Sequence, residues 1–125
     1  MKIVLDTNFI LTCIKQKIDF FSLAHELFSE KIEWIIPEEV LSELKTLSKR
    51  IGEKVSDRSA AQLALELIGQ QKFKKIGLEE KNVDKGIIKY AKKERAVIAS
   101  LDRGIKKDFD GKILSIIGQK MLGFV

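Results

Sequence analysis

A single cysteine, Cys13, rules out an internal disulfide and any cysteine-rich zinc site in this 125-residue chain. A single histidine, His25, rules out multi-histidine metal centres and metalloprotease patterns. No apolar run approaches the roughly 20 residues a membrane span requires. Only three residues separate Met1-Lys2 from the first acid, Asp6, which is too short a stretch for a secretory signal. These absences lead us to expect a cytoplasmic protein with no membrane partner. Gly52, Gly69, Gly77 and Gly86 build neither a GxGxxG turn nor a phosphate-binding loop. With one proline, Pro37, and no Ser- or Gly-rich linker, the chain reads as one domain, residues 1–125.

What is present is charge and short apolar runs. Charged residues make up 33% and hydrophobic residues 45%, enough to bury a core without staples. The net charge is +5, unevenly placed. Residues 1–50 sum to −1, whereas residues 71–112 sum to +6. A basic segment beside a neutral half suits an anionic partner such as nucleic acid, and equally a solvated lysine-rich surface.

The apolar runs alternate with helical patterns. Ile3-Val4-Leu5, Glu33 to Ile36, Lys72 to Ile76, Ala96 to Ala99 and Ile113 to Ile117 read as strands, the last being the final one. Helices are expected after Asp6 (carrying Phe9, Ile10, Cys13 and Ile14), over Phe20–Phe28, from Pro37 to Lys49, over Ser59–Gly69, over Val83–Arg95 and over Arg103–Phe109. Pro37 suits a first helical turn. Gly52 to Asp57 reads as a break, with Ser56 or Asp57 capping the next helix, and Asn82 caps the helix from Val83. Met121 to Val125 serves either an interface or the core. This alternation predicts an α/β fold, a three-layer α/β/α sandwich around a central parallel sheet.

Such folds carry their sites at the carboxyl ends of the strands. Asp6 directly follows the first strand and Asp102 the fourth, so both belong at one edge. Each alone also reads as a helix cap. On the helix from Pro37, Glu43 borders the stripe Val40, Leu41, Leu44 and Leu47, while Glu38 and Glu39 lie further round and look solvated. On the helix from Val83, Asp84 falls inside the apolar stripe in the first turn, where free N–H groups favour an anion. Four carboxylates at one edge repel one another unless a cation sits among them. All-oxygen donors select a hard ion, Mg²⁺ or Mn²⁺. A site of that kind polarises a phosphodiester and activates water, so no side-chain nucleophile is needed.

Val4-Leu5-Asp6-Thr7-Asn8 resembles the opening motif of the PIN-domain ribonucleases. Pro37 to Leu44, with Glu43 before a leucine, resembles their second motif. Val83-Asp84 followed by Ala96-Val97-Ile98-Ala99-Ser100-Leu101-Asp102-Arg103 resembles the third. The likeness runs from Met1 to about Lys107. It implies metal-dependent cleavage of RNA, with Asp6, Glu43, Asp84 and Asp102 as metal ligands and Asn8 and Ser100 supporting them. The family often has Thr-Asn-Asp where this chain has Ser100-Leu101-Asp102. The resemblance also implies either a toxin with an antitoxin partner or an rRNA-processing nuclease with a ribosome-assembly partner, and a homodimer. The alternative is a non-catalytic RNA-binding or assembly domain that keeps the acidic pocket.

Arg103, Lys106 and Lys107 flank the expected site edge and are candidate RNA contacts, with Lys72, Lys74 and Lys75 as further phosphate contacts. Tyr90, beside Lys89, Lys92 and Lys93, reads either as an RNA contact or as an exposed helix face. Cys13 reads as core, Trp34 as a core or interface residue rather than a base-stacking platform, and His25 as surface. Asp108 and Asp110 are further acids that nothing selects.

Overall fold

The computed structural model describes residues 1–51 and 55–125. Twelve elements follow one another among them: β1 (Lys2–Leu5), α1 (Thr7–Lys15), α2 (Phe20–Leu27), β2 (Glu33–Pro37), α3 (Glu38–Lys49), α4 (Val55–Gly69), β3 (Phe73–Ile76), α5 (Val83–Glu94), β4 (Val97–Ala99), α6 (Arg103–Asp108), β5 (Ile113–Ile117) and β6 (Met121–Phe124). The strands form one sheet in the order β3-β2-β1-β4-β5-β6. Every pairing is parallel except β5 with β6.

Alternation along each strand sends successive side chains to opposite faces. Ile3, Leu5, Trp34, Ile36, Val97 and Ala99 join a core with residues of α1 to α4. Val4, Ile35, Ile98 and Ile113 join a second core with Ile87 and Ala91 of α5 and Ile105 of α6. Two cores on two faces make the α/β/α sandwich. The larger core is aromatic at its centre: Phe9 meets Phe20 edge-on at 5.4 Å, and Phe21 meets Trp34 at 4.8 Å. Cys13 is fully buried there, and desolvation pushes its thiol up to about 12. His25 is exposed. Among the described residues, no helix is long and apolar enough to cross a membrane.

Several expected boundaries shift. The sheet gains β6, which the sequence reading did not contain. Its hairpin turns through Gly118 and Lys120, with φ of 57° at both. Leu122 is buried in the larger core, so the C-terminal segment completes that core. Helix α4 begins at Val55, so Ser56 and Asp57 lie in its first turn and do not cap it. The rest of the expected break, residues 52–54, lies outside the described residues. Pro37 ends β2 and is the N-cap of α3 rather than a residue of its first turn. Its φ of −62° and ψ of 143° are extended, and a ring-fixed φ is compatible with both positions. Glu39 is half-buried, not solvated. Its two carboxylate oxygens accept the Leu78 N–H at 3.3 and 3.2 Å, tying the segment after β3 to α3.

Candidate active site

The strand order reverses at β1. The chain moves from β1 outward through β2 to β3, then returns through α5 to lay β4 on the other side of β1. Residues that follow β1 and β4 therefore emerge side by side, where a crevice opens in folds of this kind. Leu5 pairs with Ala99, and the Asp6 N–H donates to the Ala99 carbonyl at 3.0 Å. Asp6 and Ser100 are thereby neighbours by register alone.

Asp6 is the N-cap of α1 and only 5% exposed. Its Oδ1 accepts the Thr7 N–H at 2.9 Å and its Oδ2 accepts the Ser100 hydroxyl at 2.8 Å. Each oxygen keeps a further lone pair. Ser100 is 2% exposed, and its Oγ accepts the Asp102 N–H at 3.0 Å. One hydroxyl thus links both acids at the ends of β1 and β4. Asp102 is half-buried and caps α6, its Oδ1 accepting the Gly104 N–H at 2.7 Å. Both acids therefore act as caps while also facing the crevice.

The other two arrive on helices. Glu43 is exposed on α3, one position from the buried Leu44. Its Oε2 accepts the Thr7 hydroxyl at 2.9 Å. Asp84 lies half-buried in the first turn of α5, behind the Asn82 cap. Desolvation and the charges of Asp6 and Asp102, with a hydrogen bond to Asp102 and the charge of Glu43, push the Asp84 carboxyl up to about 6. Asp6 is also raised. Burial is the main cause, its bonds from Ser100 and Thr7 oppose it, and Asp102 and Glu43 add to it. The four carboxylates therefore share one electrostatic field. Among the described residues, no three of them close into a preformed metal cage.

Sequence reasoning missed Thr7. It is 5% exposed and is the residue that fixes Glu43. Its only sequence signal is a hydroxyl next to the strand-end acid. Asn8 is exposed, and among the described residues no hydrogen bond ties its side chain to the four acids. Leu101 is half-buried and packs on the larger core. Arg103, Lys106 and Lys107 are exposed on α6, beside Asp102, and none is ion-paired among the described residues. Asp108 and Asp110 are exposed.

With this geometry in hand, comparison with known proteins is direct. A family described as "PIN like domain" matches residues 3–120. Ribonuclease VapC4 of Methanocaldococcus jannaschii is 32% identical over 107 residues, covering 85% of this chain and 80% of that protein. The solved PIN domain endonuclease Utp24 superposes with a TM-score of 0.77 at 24% identity, covering 98% of this chain and 90% of that one. VapBC2 from Rickettsia felis, solved bound to a DNA fragment from its promoter, gives a TM-score of 0.64 at 18% identity, covering 92% and 98%. The last two likenesses are of fold.

Proposed function

The chain belongs to the PIN-like domain family, and from that premise we propose that it is an Mg²⁺- or Mn²⁺-dependent endoribonuclease that hydrolyses RNA phosphodiester bonds. One observation carries the reading: four carboxylates from four separate elements share the crevice at the switch point, close enough that three of them raise the fourth. The ribonuclease relative supports the choice of RNA.

The donor set fits a hard cation. It is all oxygen, and neither His25 nor Cys13 is near: one is exposed on α2, the other buried in the core. Mg²⁺ keeps several waters and needs only one or two direct carboxylates, so an open arrangement suits it better than a closed cage would. Asp6, Glu43, Asp84 and Asp102 would hold the ion, which when bound supplies charge neutralisation and Lewis acidity toward a phosphodiester. Ser100 fixes Asp6 and the backbone of Asp102, and Thr7 fixes Glu43, so these carboxylates are oriented before substrate arrives. Arg103, Lys106 and Lys107 hold the phosphates that flank the scissile bond. Asn8, exposed two residues after Asp6, supports the site by bonding water held among the acids.

A toxin role with an antitoxin partner, or a role in rRNA processing, both fall within this reading. So does a homodimer, to which the exposed Leu27, Met121 and Phe124 offer apolar surface.

Asp6→Asn tests the reading. The wild type is expected to shorten single-stranded RNA when Mn²⁺ is added, and EDTA to stop it. The variant keeps its circular-dichroism melt and loses cleavage. RNA that binds the wild type with Mn²⁺ present and is never shortened would return the chain to a non-catalytic RNA-binding domain.

A further inference from the structure

The opposite end of the strands carries a second charged feature. An open recess of about 520 Å³ lies where β1, β2 and β3 begin. Lys31, Lys72 and Lys74 line it with Glu33, Trp34 and Phe73. A β-strand rises about 3.3 Å per residue, so this recess lies roughly 15 Å from the acids that follow the same strands. All three lysines are exposed and none is ion-paired among the described residues.

Lysines on an edge strand commonly serve only to deter strand pairing. That explains Lys74, but not Lys31 and Lys72, which precede β2 and β3 and converge on the same recess. The floor is also unusual. Trp34 is 3% exposed, and its indole N–H has no acceptor among the described residues. A buried donor without a partner is costly. Phe73, half-buried, is the register partner of Trp34. Positive charge, an aromatic face and an unsatisfied donor together suit a ligand with phosphates, a π-face and acceptor atoms. The volume lies within the range of sites that enclose a small planar ligand. An acidic peptide satisfies the lysines and can accept from the N–H, but brings no base to stack on the ring.

We propose that this recess is a second RNA-contact site, which anchors a single strand whose other part reaches the four acids. It rests on the ribonuclease reading for the choice of RNA. Phosphates meet Lys31, Lys72 and Lys74, and a base enters against Phe73, whose displacement opens the Trp34 N–H to an acceptor on that base.

Trp34 is the sole tryptophan, so its fluorescence reports on this end of the molecule alone. The experiment uses full-length Asp6→Asn protein and oligouridylates of roughly 4 and roughly 16 nucleotides. The longer RNA is expected to change Trp34 emission as it binds. Combining Lys31→Glu, Lys72→Glu and Lys74→Glu is expected to weaken it about tenfold or more. The slope of log affinity against log salt should fall by about 2, from three lost phosphate contacts on a single strand. In protein that retains Asp6, the same triple change leaves cleavage of the short RNA as it was. A triple Lys→Gln version gives the same direction with smaller amplitude, and thermal melts establish that both are folded. Labelled RNA that binds with no Trp34 response, and with affinity and salt slope untouched by the triple change, overturns the proposal and leaves the nuclease reading standing. Equal loss of polyglutamate binding, with no Trp34 response to RNA, also overturns it in favour of a general anion patch. Lysine-dependent RNA binding with a Trp34 response, but no cleavage by the wild type in Mn²⁺, sustains the anchor and defeats the nuclease reading.

Discussion

The hydroxyl of Thr7 is worth more to the candidate site than to the fold. It donates to Glu43, an exposed acid on another element, and nothing else among the described hydrogen bonds orients that carboxylate. Thr7→Val keeps the shape and removes the bond. Loss of a partner that orients a ligand typically costs 10- to 100-fold in metal affinity or activity, so a decrease of about that size is expected. Stability should change by only about 1 kcal/mol. Mn²⁺ titration and RNA cleavage measure the first, denaturant melts the second, and Thr7→Ser should restore activity. An unchanged cleavage rate in Thr7→Val would remove Thr7 from the site. Asp84 gives a pH prediction. Its carboxyl, at about 6 in the folded protein, lies above the ordinary carboxylate value, so the native state binds its proton more tightly than the unfolded chain does. In metal-free protein this group therefore favours folding progressively as pH falls from about 6 toward about 4, and that advantage is lost as pH rises through about 6. Asp84→Asn removes the dependence. In EDTA, the variant should gain Tm relative to the wild type as pH rises from about 4 to about 6, and keep that gain at higher pH. A difference that does not move with pH contradicts the shared field. The positions of Asp6 and Asp102 are legible in the sequence, since each directly follows a strand. Support by Ser100 was expected, and its bond to Asp6 follows from the pairing of β1 with β4; the Thr7 bond was not, because it depends on how α3 packs beside the end of β1.

A helix start is legible where a cap residue marks it. Asn82 was readable as a cap, and its Oδ1 accepts the Lys85 N–H at 3.0 Å. Asn82→Ala should cost about 1 kcal/mol, read as a lowered urea midpoint with an unchanged slope, while Asn82→Asp retains most of it. Because Asp84 sits two residues on, the alanine variant should also lose cleavage out of proportion to its small loss of stability. Intact cleavage would mean that the first turn of α5 is held by packing instead. Such packing is present: a Cβ at Gly86 would lie 2.9 Å from that of Leu78. Strand β6 was missed for a physical reason. Two of its four residues, Met121 and Phe124, remain exposed, and only Leu122 is buried, so no run of core positions marks it. The turn that makes it a hairpin rests on positive φ at Gly118 and Lys120, and lysine gives no warning of that. Helix α4 starts early for a related reason. Val55 is 55% exposed, so its apolar side chain contributes nothing to the buried stripe by which a helix start is recognised.

Four acids meet at the carboxyl edge of the sheet with the exposed cations of α6 beside them, and three further lysines line the recess at the opposite end. The arrangement stores repulsion at the acid edge that a divalent ion would relieve, and this makes stability and metal response oppose each other. In EDTA, Asp84→Asn should melt above the wild type near neutral pH, because it removes one of four mutually repelling charges. In Mn²⁺ the order should reverse. A ligand that binds only the native state at about a hundredfold excess over its Kd adds about 2.7 kcal/mol, roughly 10 °C for a chain of this length. The wild type should gain this and the variant much less. Screening alone cannot produce the reversal, since added KCl at matched ionic strength weakens the repulsion in the wild type without binding at the acids. The measurement is a pair of melting series, wild type and Asp84→Asn, across Mn²⁺ and across KCl. Crossing curves in Mn²⁺ and merely converging ones in KCl are the expected result. Curves that behave alike in both salts would mean that these carboxylates repel one another without forming a place for an ion, and a metal-dependent cut at this edge would have no physical support.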